Sequence, residues 1–248
     1  SNYNTITITS MKDVEIIDII NDIEKQYQSY KDGGLTFIKN LAKKVLNTVD
    51  EEKNEILVFF LNELEYNRNG FFSIALNTIV EMKAIELAPN IERIFIKNRN
   101  SNDESWGYSI IEALIKLNYT EPKLLYFDFV NNYLKNKPNK SYFLLVQYCN
   151  IDSDKGLQLL ADYYSKFLLE DLEMKNFLES RIGFLVSHLI KSSDGTLSEL
   201  VKLVILKNKN AGRHLKKVLL DYFNSDMAKK YPNILIEKEK KALHALKI

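Results

Sequence analysis

The chain contains few of the residues that build tight turns. Glycine accounts for 8 and proline for 4 of its 248 residues. Sandwiches and barrels need many turns, and turns favour these two residue types. The scarcity argues against an all-β fold. The 46% of hydrophobic and 27% of charged residues are ordinary for a globular chain that buries a sizeable core.

Cysteine occurs once, at Cys149. A single thiol excludes an intramolecular disulfide and any zinc site built from several cysteines, and it suits a reducing compartment. No apolar run approaches the roughly 20 residues of a membrane-spanning helix. The first residues lack the basic and apolar regions of a signal peptide, and Ser1-Asn2 is typical of a tag remnant. We therefore expect a cytoplasmic protein with no membrane partner.

The formal net charge of +1 hides an asymmetry along the chain. From Lys202 to the end there are twelve basic and four acidic residues, a net charge of +8, whereas residues 1–201 carry −7. An acidic body attracts basic partners, and a basic end attracts phosphates or acidic partners. Charges spread over solvated helix faces would give the same totals.

Helical periodicity dominates beyond the first residues. Ile16, Ile19, Ile20, Ile23 and Tyr27 follow the i, i+3, i+4, i+7 spacing of a helix with one apolar face. The same spacing, interrupted by short polar breaks, predicts about a dozen helices with antiparallel neighbours. Those of the second half are predicted near residues 103–118, 121–136, 139–149, 153–169, 172–191, 196–208, 211–223 and 227–246.

No break is long enough for a domain linker. Residues 13–248 are therefore predicted to form a single all-α domain. Residues 1–12 are predicted to be the tag remnant and an extended arm, because threonine and isoleucine alternate from Thr5 to Thr9.

The polar breaks between the predicted helices recur at a regular interval along the chain. An Ala-Leu pair at 75–76 precedes Pro89, and a second Ala-Leu pair at 113–114, 38 residues later, precedes Pro122. Less similar repeats of this pattern, an apolar triplet followed by an aspartate, continue to about residue 230. This pattern resembles the HEAT/armadillo type of helical repeat, whose period is roughly 40 residues. The resemblance implies a right-handed α-α superhelix, a HEAT-like solenoid in which each helix pair is covered by its neighbours.

Sequence motifs of catalysis are missing. The glycines form neither a dinucleotide-binding pattern nor a P-loop, and no nucleophile elbow occurs. His188, His214 and His244 lie far apart and lack metal-ligand spacing. Acidic pairs such as 170–171 fall near predicted helix starts, where capping and the helix macrodipole explain them. The sequence predicts no enzyme activity, no cofactor and no metal site.

The HEAT-like resemblance leaves a nucleic-acid alternative open. Some HEAT-like proteins are alkylation-type DNA glycosylases, which place aromatic and acidic residues over a lesion in a basic groove. Here the one tryptophan, Trp106, is followed by Gly107 and Tyr108, and the basic surface is residues 202–248. The acidic charge of residues 1–201 opposes phosphate binding, so nucleic acid is the second hypothesis.

The first hypothesis is a non-enzymatic protein-binding protein. A stack of helix pairs offers a wide concave surface. The chain is rich in tyrosine (14) and phenylalanine (13), and aromatic residues are favoured at interface hot spots. In architecture and charge it resembles the small helical-repeat immunity proteins of bacterial toxin systems. That resemblance implies a basic toxin domain as partner, with its active site occluded. A scaffold that binds peptides on the same face is an alternative.

The predicted helix 121–136 carries two apolar stripes, one through Phe127 and one through Phe129. Either both stripes pack in a central layer, or the aromatic stripe is exposed. Taking the exposed interpretation, we predict eight partner-contacting residues: Tyr126, Asp128, Phe129, Tyr133, Asp162, Tyr163, Glu170 and Asp171. Core packing or solvation is the alternative for each of them.

Overall fold

The computed structural model of the chain describes residues 11–27, 32–190 and 195–248. Within these ranges the fold is all-α, with fourteen α-helices, two short 3₁₀ helices and no strand. The extended arm predicted for residues 1–12 lies outside the described ranges, except that Met11 and Lys12 already belong to the first helix. The prediction of an all-α chain is confirmed.

The chain divides into two compact units, one ending at Tyr119 and the other beginning at Thr120. The division falls inside the stretch 13–248 that the sequence predicts as one domain. It coincides with a connection that contains Pro122, whose missing N–H suits the start of a helix.

Six α-helices build the first unit. They are α1 (Met11–Tyr27), α2 (Leu35–Leu46), α3 (Asp50–Tyr66), α4 (Phe72–Glu81), α5 (Ala88–Asn98) and α6 (Glu104–Lys116), with a 3₁₀ helix at Ile85–Leu87 before α5. Most helices pack against the next one along the chain. In addition α1 packs on α3, α2 on α4, α3 on α5 and α4 on α6. The helices therefore alternate between two rows, α1–α3–α5 and α2–α4–α6.

Eight α-helices build the second unit. They are α7 (Lys123–Asn136), α8 (Pro138–Tyr148), α9 (Ser153–Phe167), α10 (Leu172–Ser180), α11 (Ile182–Leu189), α12 (Thr196–Lys207), α13 (Lys209–Phe223) and α14 (Asn233–His244), with a 3₁₀ helix at Asp226–Lys230. The row α7–α9–α12–α14 faces the row α8–α11–α13, and α10 packs on α11. The alternation of the first unit is repeated here.

Three helices begin with the same local structure. Asp103, Asp152 and Asn208 each accept a hydrogen bond from the backbone N–H three residues later, at 2.8, 3.3 and 3.1 Å. This satisfies one of the unpaired donors of the first helical turn in α6, α9 and α13. A glycine follows each cap after four residues, at 107, 156 and 212.

Two of these glycines lie where helices approach closely. A Cβ on Gly156 would lie 2.7 Å from Cα of Cys149, at the end of α8. A Cβ on Gly212 would lie 2.8 Å from Cα of Ile205, in the last turns of α12. The absence of a side chain therefore lets the start of one helix rest on the end of the previous one.

Two predicted helices are wrong in extent. The helix predicted over 172–191 is divided at Arg181, whose φ of −102° and ψ of 10° leave the helical region between α10 and α11. The helix predicted over 227–246 is a 3₁₀ helix followed by α14. Pro232 separates the two, because it lacks an N–H and adopts an extended ψ of 135°.

Candidate binding cleft

An open cleft of about 470 Å³ lies on α7, α9 and α12 of the second unit. Its apolar lining comes from Phe127 on α7, Leu157 and Leu159 on α9, and Leu203 on α12. Its polar lining is Asp154, Lys155, Gln158 and Glu199. Three helices of one row thus contribute to one surface, which we call the α9 cleft.

The apolar surface continues beyond the α9 cleft on two of these helices. Leu124 lies one turn before Phe127 on α7 and is 71% exposed. Leu206 lies one turn after Leu203 on α12 and is 75% exposed. Residues three apart share a helix face, so each exposed leucine extends the lining of the cleft. Exposed leucines that continue an apolar cleft are typical of a protein-binding surface.

Of the charged side chains that line the α9 cleft, the lysine has a ring contact and the two carboxylates have no ion pair among the described residues. The ammonium of Lys155 lies over the ring of Phe127, 5.1 Å from its centroid, which is a cation–π contact. Among the described residues, no ion pair engages Asp154 or Glu199. Both carboxylates lie in the first turn of a helix, where the macrodipole favours negative charge. The cleft therefore has an apolar floor and a rim on which two carboxylates outnumber one ammonium group, which we call the negative rim.

A second groove, of about 350 Å³, lies between α3 and α5 of the first unit. Its charged groups are partnered within the groove. Lys97 pairs with Glu65 at 3.0 Å, and the guanidinium of Arg93 donates to the side-chain oxygen of Asn90. Because its charges are satisfied internally, this groove is a weaker candidate than the α9 cleft.

Three of the eight predicted contact residues are buried. Tyr126, Tyr133 and Tyr163 expose 0%, 6% and 1% of their surface, so the predicted exposure of these three is wrong. On α7 the stripe Tyr126–Val130–Tyr133 packs into the core, at i, i+4 and i+7. Burying large aromatic rings removes more apolar area from water than burying leucines does, so Leu124 faces outward instead.

The other five predicted residues lie at or near the surface. Asp128, Glu170 and Asp171 are exposed, and Phe129 is half-buried. The carboxylate of Asp171 accepts the N–H of Met174 at 2.7 Å and caps α10. Asp162 is exposed and pairs with Lys207 at 2.6 Å.

None of the eight predicted residues lines the α9 cleft, and their contact with a partner stays a prediction. Sequence analysis therefore missed all eight lining residues, among them Phe127, which lies between the predicted residues Tyr126 and Asp128. The sequence signal for this surface is the pair Leu124 and Phe127. These two apolar residues lie one turn apart on a helix whose opposite face is also apolar, so one of the two faces must be exposed or covered by a further helix.

Helices α8 and α9 contribute a cluster of buried tyrosines. The hydroxyls of Tyr142 and Tyr164 are 2.7 Å apart, and burial raises the pKa of both. Burial also raises the pKa of Tyr148 to about 12 and that of the Cys149 thiol to about 12. These groups stay protonated at neutral pH. Cys149 is therefore a buried and protonated thiol of the core.

Other candidate side chains are engaged in hydrogen bonds or ring contacts. His214 Nε2 lies 2.6 Å from Glu179 Oε1, and the ring of His188 lies against Phe184. Trp106 donates its indole N–H to the carbonyl of Leu64 at 3.0 Å. In the part of the chain that the structure describes, no group of three or more His, Cys, Asp or Glu side chains is placed to hold a metal ion.

No family model, curated protein or solved structure matches this chain. Over residues 11–27, 32–190 and 195–248, no helix combines the length and the apolar character needed to cross a lipid bilayer. The assignment of function therefore depends on the geometry of the α9 cleft and on the charges around it.

Proposed function

We propose that the chain is a non-enzymatic protein-binding protein that uses the α9 cleft to hold its partner. The observation that carries this proposal is an apolar cleft of about 470 Å³ whose two rim carboxylates have no ion-pair partner among the described residues. A concave apolar surface with a few polar groups at its edge is typical of a binding site. A protein partner would cover the leucines and pair with the carboxylates.

The arrangement of helices that we propose is a HEAT-like α-solenoid. Two observations support it. Helices α1 to α4 of the first unit and α7, α11 and α12 of the second each pack on the second helix along the chain, and a capping Asp or Asn with a glycine four residues later recurs at three helix starts. In a solenoid each repeat contacts only its neighbours, and one row of helices presents a continuous surface. The α9 cleft lies on one such row.

The specific form that we propose is an immunity protein that covers a basic toxin domain. The negative rim of the α9 cleft supports a basic partner. In the first unit α1 packs on α3, and both helices expose carboxylates, among them Asp18, Asp22, Glu51 and Glu52. Complementary charge speeds association and suppresses wrong partners. The partner's active site would be blocked by occlusion.

The test of this form uses the protein encoded next to this chain. If that neighbour is a toxin, expression of this chain protects cells from it, and the two proteins copurify. Leu206→Lys on the cleft face weakens both effects, while Leu172→Lys, at an equally exposed leucine on α10, leaves them intact. A toxic neighbour that this chain neither binds nor counteracts would refute the immunity form.

A second candidate function is binding of nucleic acid, and α13 carries the observation that favours it. Lys209, Arg213 and Lys217 follow one another at four-residue intervals, are exposed, and take part in no ion pair among the described residues. Like charges at this spacing repel one another, so a polyanion would stabilise them.

Fluorescence anisotropy of a labelled DNA or RNA oligonucleotide at low salt tests this candidate. Binding that falls steeply with salt, and more weakly in a Lys209, Arg213 and Lys217 alanine variant, supports it. Absence of a complex removes it.

A further inference from the structure

The floor of the α9 cleft offers side chains and no free hydrogen-bonding backbone. Its apolar residues, Phe127, Leu157, Leu159 and Leu203, all lie inside α-helices, whose N–H and C=O groups bond within the helix. An extended segment laid on this floor would bury its own N–H and C=O groups without partners. A helical segment satisfies its backbone itself and presents only side chains. The lining therefore favours a helical occupant.

The rim determines the charge of that occupant. Asp154 at the start of α9 and Glu199 at the start of α12 have no ion-pair partner among the described residues. The one cation of the lining, Lys155, already lies over Phe127. A segment with acidic flanks would be repelled, and one with neutral flanks would leave both carboxylates unpaired. Lysine or arginine beside the apolar anchors would pair with them.

We propose that the α9 cleft binds an amphipathic helix of a partner protein, whose apolar stripe is flanked by lysine or arginine. The stripe fills the space between Phe127, Leu157 and Leu203, and the flanking cations pair with Asp154 and Glu199. This inference rests on the proposed protein-binding function and adds the chemical class of the segment that is bound.

The experiment is a selection from a displayed library of random 16-residue peptides, with the full chain as bait. The inference predicts enriched peptides with aliphatic residues at i, i+3 or i+4, and i+7, the spacing of one helix face, together with lysine or arginine on the flanks. Enriched peptides with period-two alternation, proline or acidic flanks would overturn it, as would the absence of any peptide whose binding depends on the cleft.

Variants of the chain then locate the site with the best synthetic peptide, measured by fluorescence anisotropy. Leu206→Lys, at a residue 75% exposed on the cleft face, lowers affinity at least tenfold. The matched variant Leu172→Lys, at a residue 71% exposed on α10, leaves it unchanged. Because both leucines are exposed, neither variant disturbs the core. Equal affinities for the two variants would overturn the inference.

The role of the two carboxylates is tested by removing charge at constant volume. Asp154→Asn and Glu199→Gln each weaken binding by about threefold to fivefold and reduce its dependence on salt. Glu173→Gln, at an exposed carboxylate in the first turn of α10 and outside the cleft, changes neither. Unchanged affinity and salt dependence in Asp154→Asn and Glu199→Gln would show that the occupant is not basic.

The outcomes separate this inference from the function on which it rests. A native partner whose binding requires Leu206 but whose bound segment is extended or acidic refutes the helical, basic occupant and keeps protein binding at the cleft. A native partner that binds Leu206→Lys as tightly as the original chain refutes the cleft as the binding surface.

Discussion

At the scale of single residues, glycine allows two helices that follow one another in the chain to approach closely, α9 on α8 and α13 on α12. Gly156 faces Cys149 and Gly212 faces Ile205, at distances that a Cβ does not fit. Sequence analysis interpreted glycine only as a residue of tight turns. A glycine inside a helix lowers helix propensity, so its position four residues after an Asp or Asn cap is the signal that points to a close contact.

We predict that Gly212→Ala lowers the free energy of unfolding by about 1–3 kcal/mol, because the added methyl group collides with the backbone of α12. Chemical denaturation of the full chain measures the effect. Gly183→Ala is the control: its Cβ would meet the ring of Tyr222 at 3.6 Å, an ordinary contact. There the better helix propensity of alanine makes the change neutral or stabilising by up to about 1 kcal/mol. Equal losses at both positions would contradict the close-approach explanation.

The buried tyrosines predict a loss of stability at high pH. The folded chain holds the pKa of Tyr148 at about 12, against 10.0 for an ordinary tyrosine. Between pH 10 and 12 the unfolded chain therefore releases this proton while the folded chain keeps it. The free energy of unfolding falls as pH rises through this window.

Tyr148→Phe tests this account, since the Tyr148 hydroxyl is buried and has no hydrogen-bond partner among the described residues. At pH 7 we expect no loss of stability or a small gain, and between pH 10 and 12 a shallower decline than in the original chain. Tyr142→Phe is the comparison. It removes the hydrogen bond to Tyr164 and costs about 1 kcal/mol at pH 7. An unchanged alkaline decline in Tyr148→Phe would contradict the assignment.

At the scale of helices, hydrophobic spacing predicted nearly all helices but missed two breaks. One break divides α10 from α11 at Arg181, and the other separates the last 3₁₀ helix from α14 at Pro232. Pro232 marks the break before α14 in the sequence itself. Arg181 offers no such signal, because the apolar spacing continues through it. The division there coincides with a tertiary contact to α8, because the guanidinium of Arg181 lies 5.5 Å from the ring centroid of Phe143. The same guanidinium lies 5.7 Å from the ring centroid of Phe177 in α10.

The caps at α6, α9 and α13 predict a local contribution to stability. The side chain of Asp103 accepts the N–H of Trp106 at 2.8 Å. Asp103→Ala should lower the free energy of unfolding by about 1 kcal/mol, while Asp103→Asn, which keeps an accepting oxygen, should lower it by only a few tenths. Urea denaturation compares the two. A loss in Asp103→Asn as large as in Asp103→Ala would show that charge, and not capping, is responsible.

At the scale of the whole molecule, composition and spacing were sufficient to predict an all-α chain. They were not sufficient for the candidate site. Apolar stripes on both sides of α7 leave open which one faces the core, and only packing shows that Tyr126 and Tyr133 are buried while Leu124 is exposed. The α9 cleft also joins residues far apart in the chain, such as Phe127 and Leu203, which no local pattern connects.

The most direct test of the α9 cleft as the binding surface is a methyl NMR spectrum of leucine-labelled protein, recorded with and without the best peptide of the displayed library. We predict that the largest shifts occur at Leu157, Leu159 and Leu203, and that Leu76 and Leu114 of the first unit are unchanged. Shifts confined to Leu172 and Leu178 of α10, with the cleft leucines unmoved, would contradict it.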